Sequence, residues 1–237
     1  MLRKLRGTMA SLVAGIVFLI GMALHESAFA VHGDEWSAPD NWTGHGRDTA
    51  EQRFSPLTEI NESNVPRLGL AWSLDLPGET SLSATPLAVD GVVYFCGAMG
   101  AVYAVNGQSG RQLWKYDPHT NRGKPREARM IFAVNRGVAY WKGMVYVALK
   151  DGRMVALDAK SGKPMWTTQF LIKGVPATST GAPRVFKDKI IIGNSGADQG
   201  TRGYVTTLDA RTGKLLWRFF TVPGDPSRKD EIGRAHV

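Results

Sequence analysis

The sequence predicts an all-β protein built as part of a β-propeller, and three observations carry that expectation. An eleven-residue pattern recurs three times, its period is close to fifty residues, and the composition favours tight turns and aromatic packing. The recurrences are residues 104–114 (AVNGQSGRQLW), 156–166 (ALDAKSGKPMW) and 207–217 (TLDARTGKLLW). Each runs small residue, apolar residue, Asn or Asp, two variable positions, Ser or Thr, Gly, a basic residue, two further positions and Trp. The closing residues Trp114, Trp166 and Trp217 stand 52 and 51 positions apart. Periods of roughly 40 to 50 residues that each hold several strands are the signature of propeller blades. The 27 Gly, 12 Pro and 7 Trp among 237 residues suit such a turn-rich sheet protein.

Within one repeat the elements follow in order. Val145-Tyr146-Val147-Ala148-Leu149 reads as a strand of β-branched and aromatic residues, and Lys150-Asp151-Gly152-Arg153 as a hairpin turn. Met154-Val155-Ala156-Leu157-Asp158 is its partner strand. Ser161-Gly162-Lys163 then reverses the chain, with Gly free to take a positive φ, and Pro164-Met165-Trp166 opens the next strand. Val92-Val93-Tyr94-Phe95 and Ile190-Ile191-Ile192 fill the first-strand slot of the other two repeats. The Asn or Asp before each turn is placed to bond the turn backbone, and each Trp to cover the adjacent blade.

The formal charge of +8 comes from Lys and Arg scattered in ones and twos. A soluble basic surface explains that spread better than nucleic-acid binding. The single Cys96 excludes an intrachain disulfide framework. Residues 1–30 have the layout of a secretory signal: Arg3, Lys4 and Arg6, an apolar run from Ser11 to Leu24, and Ala28-Phe29-Ala30 as a cleavage site that leaves Val31 first. The alternative is a retained membrane anchor, for which the run is short against the ~20 residues of a bilayer span. The Ser-Gly-Lys and Thr-Gly-Lys triplets lack the earlier Gly of a phosphate-binding loop, and no GxGxxG is present, so repetition marks them as structural turns with solvated basic tips.

The repeated pattern resembles the tryptophan-docking motif of the pyrroloquinoline quinone (PQQ)-dependent dehydrogenases of the methanol and ethanol type. More specific segments resemble that family in order: Gly69-Leu70-Ala71-Trp72-Ser73, Asn135-Arg136-Gly137-Val138-Ala139, Trp141-Lys142-Gly143, Thr180-Gly181-Ala182-Pro183-Arg184-Val185, Arg202-Gly203-Tyr204-Val205 and Val222-Pro223-Gly224-Asp225-Pro226-Ser227. The likeness runs from about Asp48 to Ser227. It implies an eight-bladed propeller around a quinone and one Ca²⁺, of which this chain supplies three to four blades. It also implies oxidation of a small alcohol, with electrons passed to a cytochrome c. No CxxCH haem-attachment motif is present.

The resemblance further implies site residues. Arg136 pairs with a quinone carboxylate or oxygen, as suits a planar, permanently charged fork; the bland alternative is a salt bridge within a blade. Thr180 offers a hydroxyl, and Ser195, Gly196 and Ala197 hold the cofactor by hydroxyl and backbone contacts; the alternative for these small residues is a plain turn. Asp198 stands where the family has a Ca²⁺ ligand, usually Glu, and one carboxylate is only a fragment of the six to eight oxygens such an ion takes. Ser83 stands where the family usually has Glu beside the cofactor. Met130 and Ile131 replace adjacent cysteines that form a disulfide beside the quinone. These departures leave two readings open: a subgroup with a re-tuned pocket, or a propeller that holds no quinone. The family's catalytic Asp, its Asn ligand and the Trp floor of its pocket lie beyond residue 237. His32, His45 and His119 sit in polar, turn-like stretches and read as surface histidines.

The leading expectation is therefore an exported, periplasmic PQQ-dependent alcohol dehydrogenase with Ca²⁺, bound to no nucleic acid and to the membrane only if the signal is uncleaved. The competing class is a non-catalytic propeller scaffold, like the outer-membrane assembly lipoproteins that share such repeats; those carry a lipobox Cys after the signal, and none stands near Ala30. The expected domains are a signal at 1–30, a partial propeller at 31–230 and a non-native tail at 231–237. The tail's IGRAHV reads back as a sequencing-adapter string, which makes the chain an amino-terminal fragment on this expectation.

Overall fold

The computed structural model describes residues 38–48, 50–120, 133–222 and 224. These fall within Glu35–Val237, the second of two compact units; the first, Met1–Asp34, lies outside them. The signal segment, His32, Met130, Ile131, Pro223, residues 225–227 and the tail at 231–237 also lie outside the described residues.

Among the described residues, twelve strands form three blades. Blade 1 holds β1 (Leu87–Val89), β2 (Val92–Cys96), β3 (Val102–Asn106) and β4 (Gln112–Tyr116). Blade 2 holds β5 (Ala139–Trp141), β6 (Met144–Ala148), β7 (Arg153–Asp158) and β8 (Pro164–Gln169). Blade 3 holds β9 (Arg184–Phe186), β10 (Lys189–Gly193), β11 (Tyr204–Asp209) and β12 (Leu215–Phe220). Each sheet is a four-stranded antiparallel meander in chain order. The strands expected to open each repeat are in fact second strands. A three-residue strand precedes each one, too short to show an alternating pattern. It joins through a two-residue turn, Asp90-Gly91, Lys142-Gly143 or Lys187-Asp188, with φ between 46° and 76° at all six positions. Positive φ at both centres is the I′ geometry that matches strand twist.

The turn between third and fourth strands is capped identically three times. Asn106 Oδ1 accepts from the Ser109 N–H and hydroxyl at 2.8 and 2.8 Å. Asp158 does the same with Ser161, and Asp209 with Thr212. Hydrogen bonds to the ionised form hold both Asp carboxyls below the usual 3.8. Beyond each turn the ladder slips at one position, between Ala104 and Val105, Ala156 and Leu157, and Thr207 and Leu208. The bulge skips Leu113, Met165 and Leu216 and sets the following Trp opposite the third strand.

That Trp leaves its own sheet. Trp114 Nε1 donates to the Ala159 carbonyl at 2.9 Å, and Trp166 Nε1 to the Ala210 carbonyl at 3.1 Å, each in the following blade. Trp72 makes the same contact with Gly107 at 2.8 Å. Its segment therefore acts like the outer strand of a further blade, although no strand forms there. The indoles lie flat against glycines: a Cβ on Gly110, Gly162 or Gly213 would stand 2.6, 2.6 or 2.5 Å from the rings of Trp72, Trp114 and Trp166. Tyr94 and Tyr146 add hydroxyl bonds to the same carbonyls, Ala159 and Ala210, both at 3.2 Å. Behind these contacts the blades pack face to face. Val102, Val145, Val147, Leu149, Val155 and Leu157 fill one interface, and Tyr146, Met154, Phe170, Ile190 and Leu208 the other.

Two predictions follow from this packing. Gly162→Ala should cost about 2–4 kcal/mol, since a left-handed Cβ also overpacks an indole. Gly143→Ala, at a similar φ of 76° with open space around it, should cost only about 1–2 kcal/mol; urea melts compare the two, and equal losses would exclude the ring contact. Cys96 is fully buried and burial pushes its thiol up to about 12. A disulfide reagent at pH 8 should thus leave it unmodified until denaturant unfolds blade 1, and prompt labelling of the native chain would contradict this packing.

Candidate functional site

The approaches to β1, β5 and β9 run side by side. The Thr85 N–H donates to the Arg136 carbonyl at 3.1 Å, and the Arg136 N–H to the Thr180 carbonyl at 3.0 Å. Thr85 and Gly137 form a parallel bridge. The three blades thus present Thr85, Arg136 and Thr180 as neighbours, although these residues are 51 and 44 positions apart in the chain.

Side chains complete the group. Arg136 Nη1 donates to Thr180 Oγ1 at 2.6 Å and reaches the Thr180 carbonyl at 3.4 Å. Thr180 Oγ1 lies 3.4 Å from Ser195 Oγ. Ser195 is held by a backbone bridge with Thr178, its N–H donating at 2.8 Å and its carbonyl accepting at 3.1 Å. Gly196 follows at φ 120°, where a Cβ would meet the Pro176 carbonyl at 2.8 Å. Only Gly fits there. Its carbonyl accepts from the Gln199 and Thr201 N–H groups and starts the short 3-10 turn Ala197–Gln199. Ala197 and Asp198 are exposed on that turn.

Of the expected site residues, the structure brings together Arg136, Thr180 and Ser195, with Gly196, Ala197 and Asp198 following directly in the chain. Ser83 stands apart in its bonding: it is exposed and pairs with Ser81, hydroxyl to hydroxyl at 3.3 Å. Arg136 is exposed, and among the described residues no carboxylate lies within ion-pair distance of it. Among the described residues, then, Arg136 forms no blade salt bridge. An uncompensated guanidinium, two hydroxyls and a glycine-lined approach make a donor set for a planar, anionic, oxygen-rich ligand, so the residues fit a quinone bearing carboxylates. The cation is another matter. Among the described residues no group of three or more His, Cys, Asp or Glu gathers to hold a metal, and Asp198 offers one carboxylate.

Several supporting residues escaped the sequence reading. Asn135 is buried beneath Arg136. Asn194 ties the ends of the 194–204 loop, donating to the Arg202 carbonyl at 3.2 Å and accepting from the Tyr204 N–H at 2.7 Å. Thr201 is buried against Gly196 with its hydroxyl unpaired. An amide side chain two or more residues from a glycine carries no signal of this kind in one sequence. His45 departs from the surface reading: it is half-buried, its Nε2 accepts from Arg53 Nη2 at 2.8 Å, and burial with Arg184 and Arg53 lowers its pKa. It lines a separate cavity of about 300 Å³ with Asp48, Glu51 and Arg184. His119 pairs with Asp117 at 2.9 Å.

Comparison with known proteins bears on this geometry. The family model "PQQ: Glucose/ethanol/alcohol dehydrogenase, beta-propeller domain" matches residues 42–236. The chain is 54% identical over 190 residues to quinohemoprotein alcohol dehydrogenase ADH IIB of Pseudomonas putida, covering 80% of this chain and 27% of that protein. It is 39% identical over 235 residues to the dehydrogenase subunit of the alcohol dehydrogenase (quinone) of Gluconobacter oxydans, covering 96% and 31%. Among solved structures, the quinohemoprotein alcohol dehydrogenase from Comamonas testosteroni superposes with a TM-score of 0.76 at 45% identity, over 84% of this chain and 30% of that one. A europium-containing methanol dehydrogenase superposes at 0.70 and 32%, over 81% and 34%. The chain thus spans between a quarter and a third of the length of these relatives. With the match running through all three blades, the chain belongs to the PQQ-type glucose/ethanol/alcohol dehydrogenase β-propeller family.

Proposed function

We propose that this chain forms three successive blades of an exported, PQQ-dependent alcohol dehydrogenase, and that Arg136, Thr180 and Ser195 hold the quinone. The observation that supports this most is the Arg136 guanidinium, aimed by Thr180 and lacking any carboxylate partner among the described residues. When bound, PQQ supplies a two-electron acceptor for oxidising CH–OH to a carbonyl. The protein's part is to bind and orient. The Arg136 guanidinium would hold a quinone carboxylate by a charge-assisted bond. The Thr180 hydroxyl accepts from Arg136 and keeps its own proton to donate. Ser195 adds a second hydroxyl, and Gly196 lets backbone approach a flat ring. Asp198 would offer a single carboxylate to a Ca²⁺, a fragment of the six to eight oxygens such an ion takes. Ser83 brings no charge, so this pocket is less acidic than the family pattern implies.

The remainder of the reading concerns the whole protein. A small alcohol is the substrate, and a cytochrome c takes the electrons; one relative of similar standing, from Thauera butanivorans, is named 1-butanol dehydrogenase (cytochrome c). Residues 1–30, with their basic start and Ala-Phe-Ala site, support delivery to the periplasm.

The experiment titrates PQQ into the full chain with Ca²⁺ present and follows quenching of tryptophan emission. Saturable quenching at one equivalent is expected. Arg136→Ala should weaken it at least about tenfold, as truncating one member of a charge-assisted pair does, and Thr180→Val should weaken it less. Absence of saturable binding, or an Arg136→Ala chain that binds as tightly as wild type, would overturn the assignment.

A further inference from the structure

We infer that Asn135 is a positioning residue that sets the aim of Arg136, with Cys96 as its anchor in the neighbouring blade. The inference rests on the reading of Arg136 as the quinone's partner. Asn135 is 3% exposed, and both ends of its amide are hydrogen-bonded. Its Nδ2 donates to the Ala148 carbonyl at 2.9 Å, at the end of β6. Its Oδ1 accepts from the Gly137 N–H at 3.1 Å and from the Cys96 Sγ–H at 3.2 Å, at the end of β2. The partners fix the amide's orientation, because a carbonyl can only accept and a backbone N–H can only donate.

The consequence falls on Arg136. The bond from Gly137 N–H to the Asn135 side chain closes a ring around Arg136, and Gly137 at φ 141° supplies the bend that a Cβ would crowd against the Thr85 carbonyl at 3.2 Å. Within that ring, the Arg136 N–H and carbonyl serve the blades on either side. The backbone of Arg136 is therefore held at its N–H, at its carbonyl and by the ring that encloses it, and its side chain leaves toward Thr180 Oγ1. A buried amide tied to two blades has a second explanation, a plain seam between sheets. That role would stabilise the propeller whether or not Arg136 were present.

A double-mutant cycle separates the two. PQQ dissociation constants are measured for the full chain, Asn135→Ala, Arg136→Ala and the double variant. If Asn135 acts through Arg136, Asn135→Ala weakens PQQ about tenfold alone and adds nothing once Arg136 is gone. An unchanged affinity, or an undiminished penalty in the Arg136→Ala background, overturns the inference. Should Asn135→Ala fail to fold, Cys96→Ala, which removes the thiol donor without adding atoms to the buried site, runs through the same cycle with the same criteria and a smaller loss. A wild-type chain that takes up no PQQ refutes the quinone reading alone. Hydrogen exchange then decides the positioning role: the Arg136 and Gly137 amides should exchange faster in Asn135→Ala while that of Leu208 in blade 3 does not. Unchanged exchange at both, or equal acceleration at Leu208, overturns it.

Discussion

Each blade receives on its third-to-fourth-strand turn an indole from the preceding segment of chain, and the structure depends on where that indole goes. Trp72, Trp114 and Trp166 each lie on a glycine of the next turn, Gly110, Gly162 and Gly213, and donate to the carbonyl three residues before it, namely Gly107, Ala159 and Ala210. The contact combines a large apolar burial with a directional bond, so it fixes both spacing and rotation between blades. A β-bulge before Trp114 and Trp166 and an Asx-capped turn beneath each glycine are the local devices that make it possible. Any side chain at the glycine would occupy the ring's place.

The candidate site is a product of that spacing. Arg136 and Thr180 come from different blades, and one backbone bond and two guanidinium bonds join them. Such short links form when the sheets are already set at the right separation. The site's donors are supplied by irregular backbone at the ends of the inner strands, while the strands themselves give rigid support, a division common to ligand sites on sheet scaffolds.

What the sequence disclosed and what it withheld divide along the range of the interactions. The Asn/Asp-x-x-Ser/Thr-Gly turn was legible because cap, hydroxyl and glycine sit within a few residues. The repeat spacing alone directs Trp114 and Trp166 onto the adjacent blades. By contrast, β1, β5 and β9 are three residues long, and no periodicity fits in three residues. Lys187-Asp188 makes the same turn as Asp90-Gly91 without a glycine; Asp188 instead accepts from Trp141 Nε1 at 2.7 Å and Lys142 Nζ at 3.1 Å, which also hold its carboxyl below the usual range. The union of Cys96 with Asn135 spans 39 positions and two blades, and neither residue type announces it. Arg136, Thr180 and Ser195 were reachable through family resemblance, whereas their grouping at 2.6 and 3.4 Å required the fold.

The central claim is that indole docking holds adjacent blades in the register that builds the site. The most direct measurement is amide hydrogen exchange in Trp166→Phe, which keeps a ring but loses the bond to Ala210. The Arg136 N–H bonds across blades 2 and 3, and the Thr85 N–H across blades 1 and 2, so the two amides report on separate seams. The account predicts that Arg136 exchanges at least about tenfold faster while Thr85 keeps its rate, because local openings follow the contacts that restrain them. An Arg136 amide as protected in Trp166→Phe as in the wild type would contradict it.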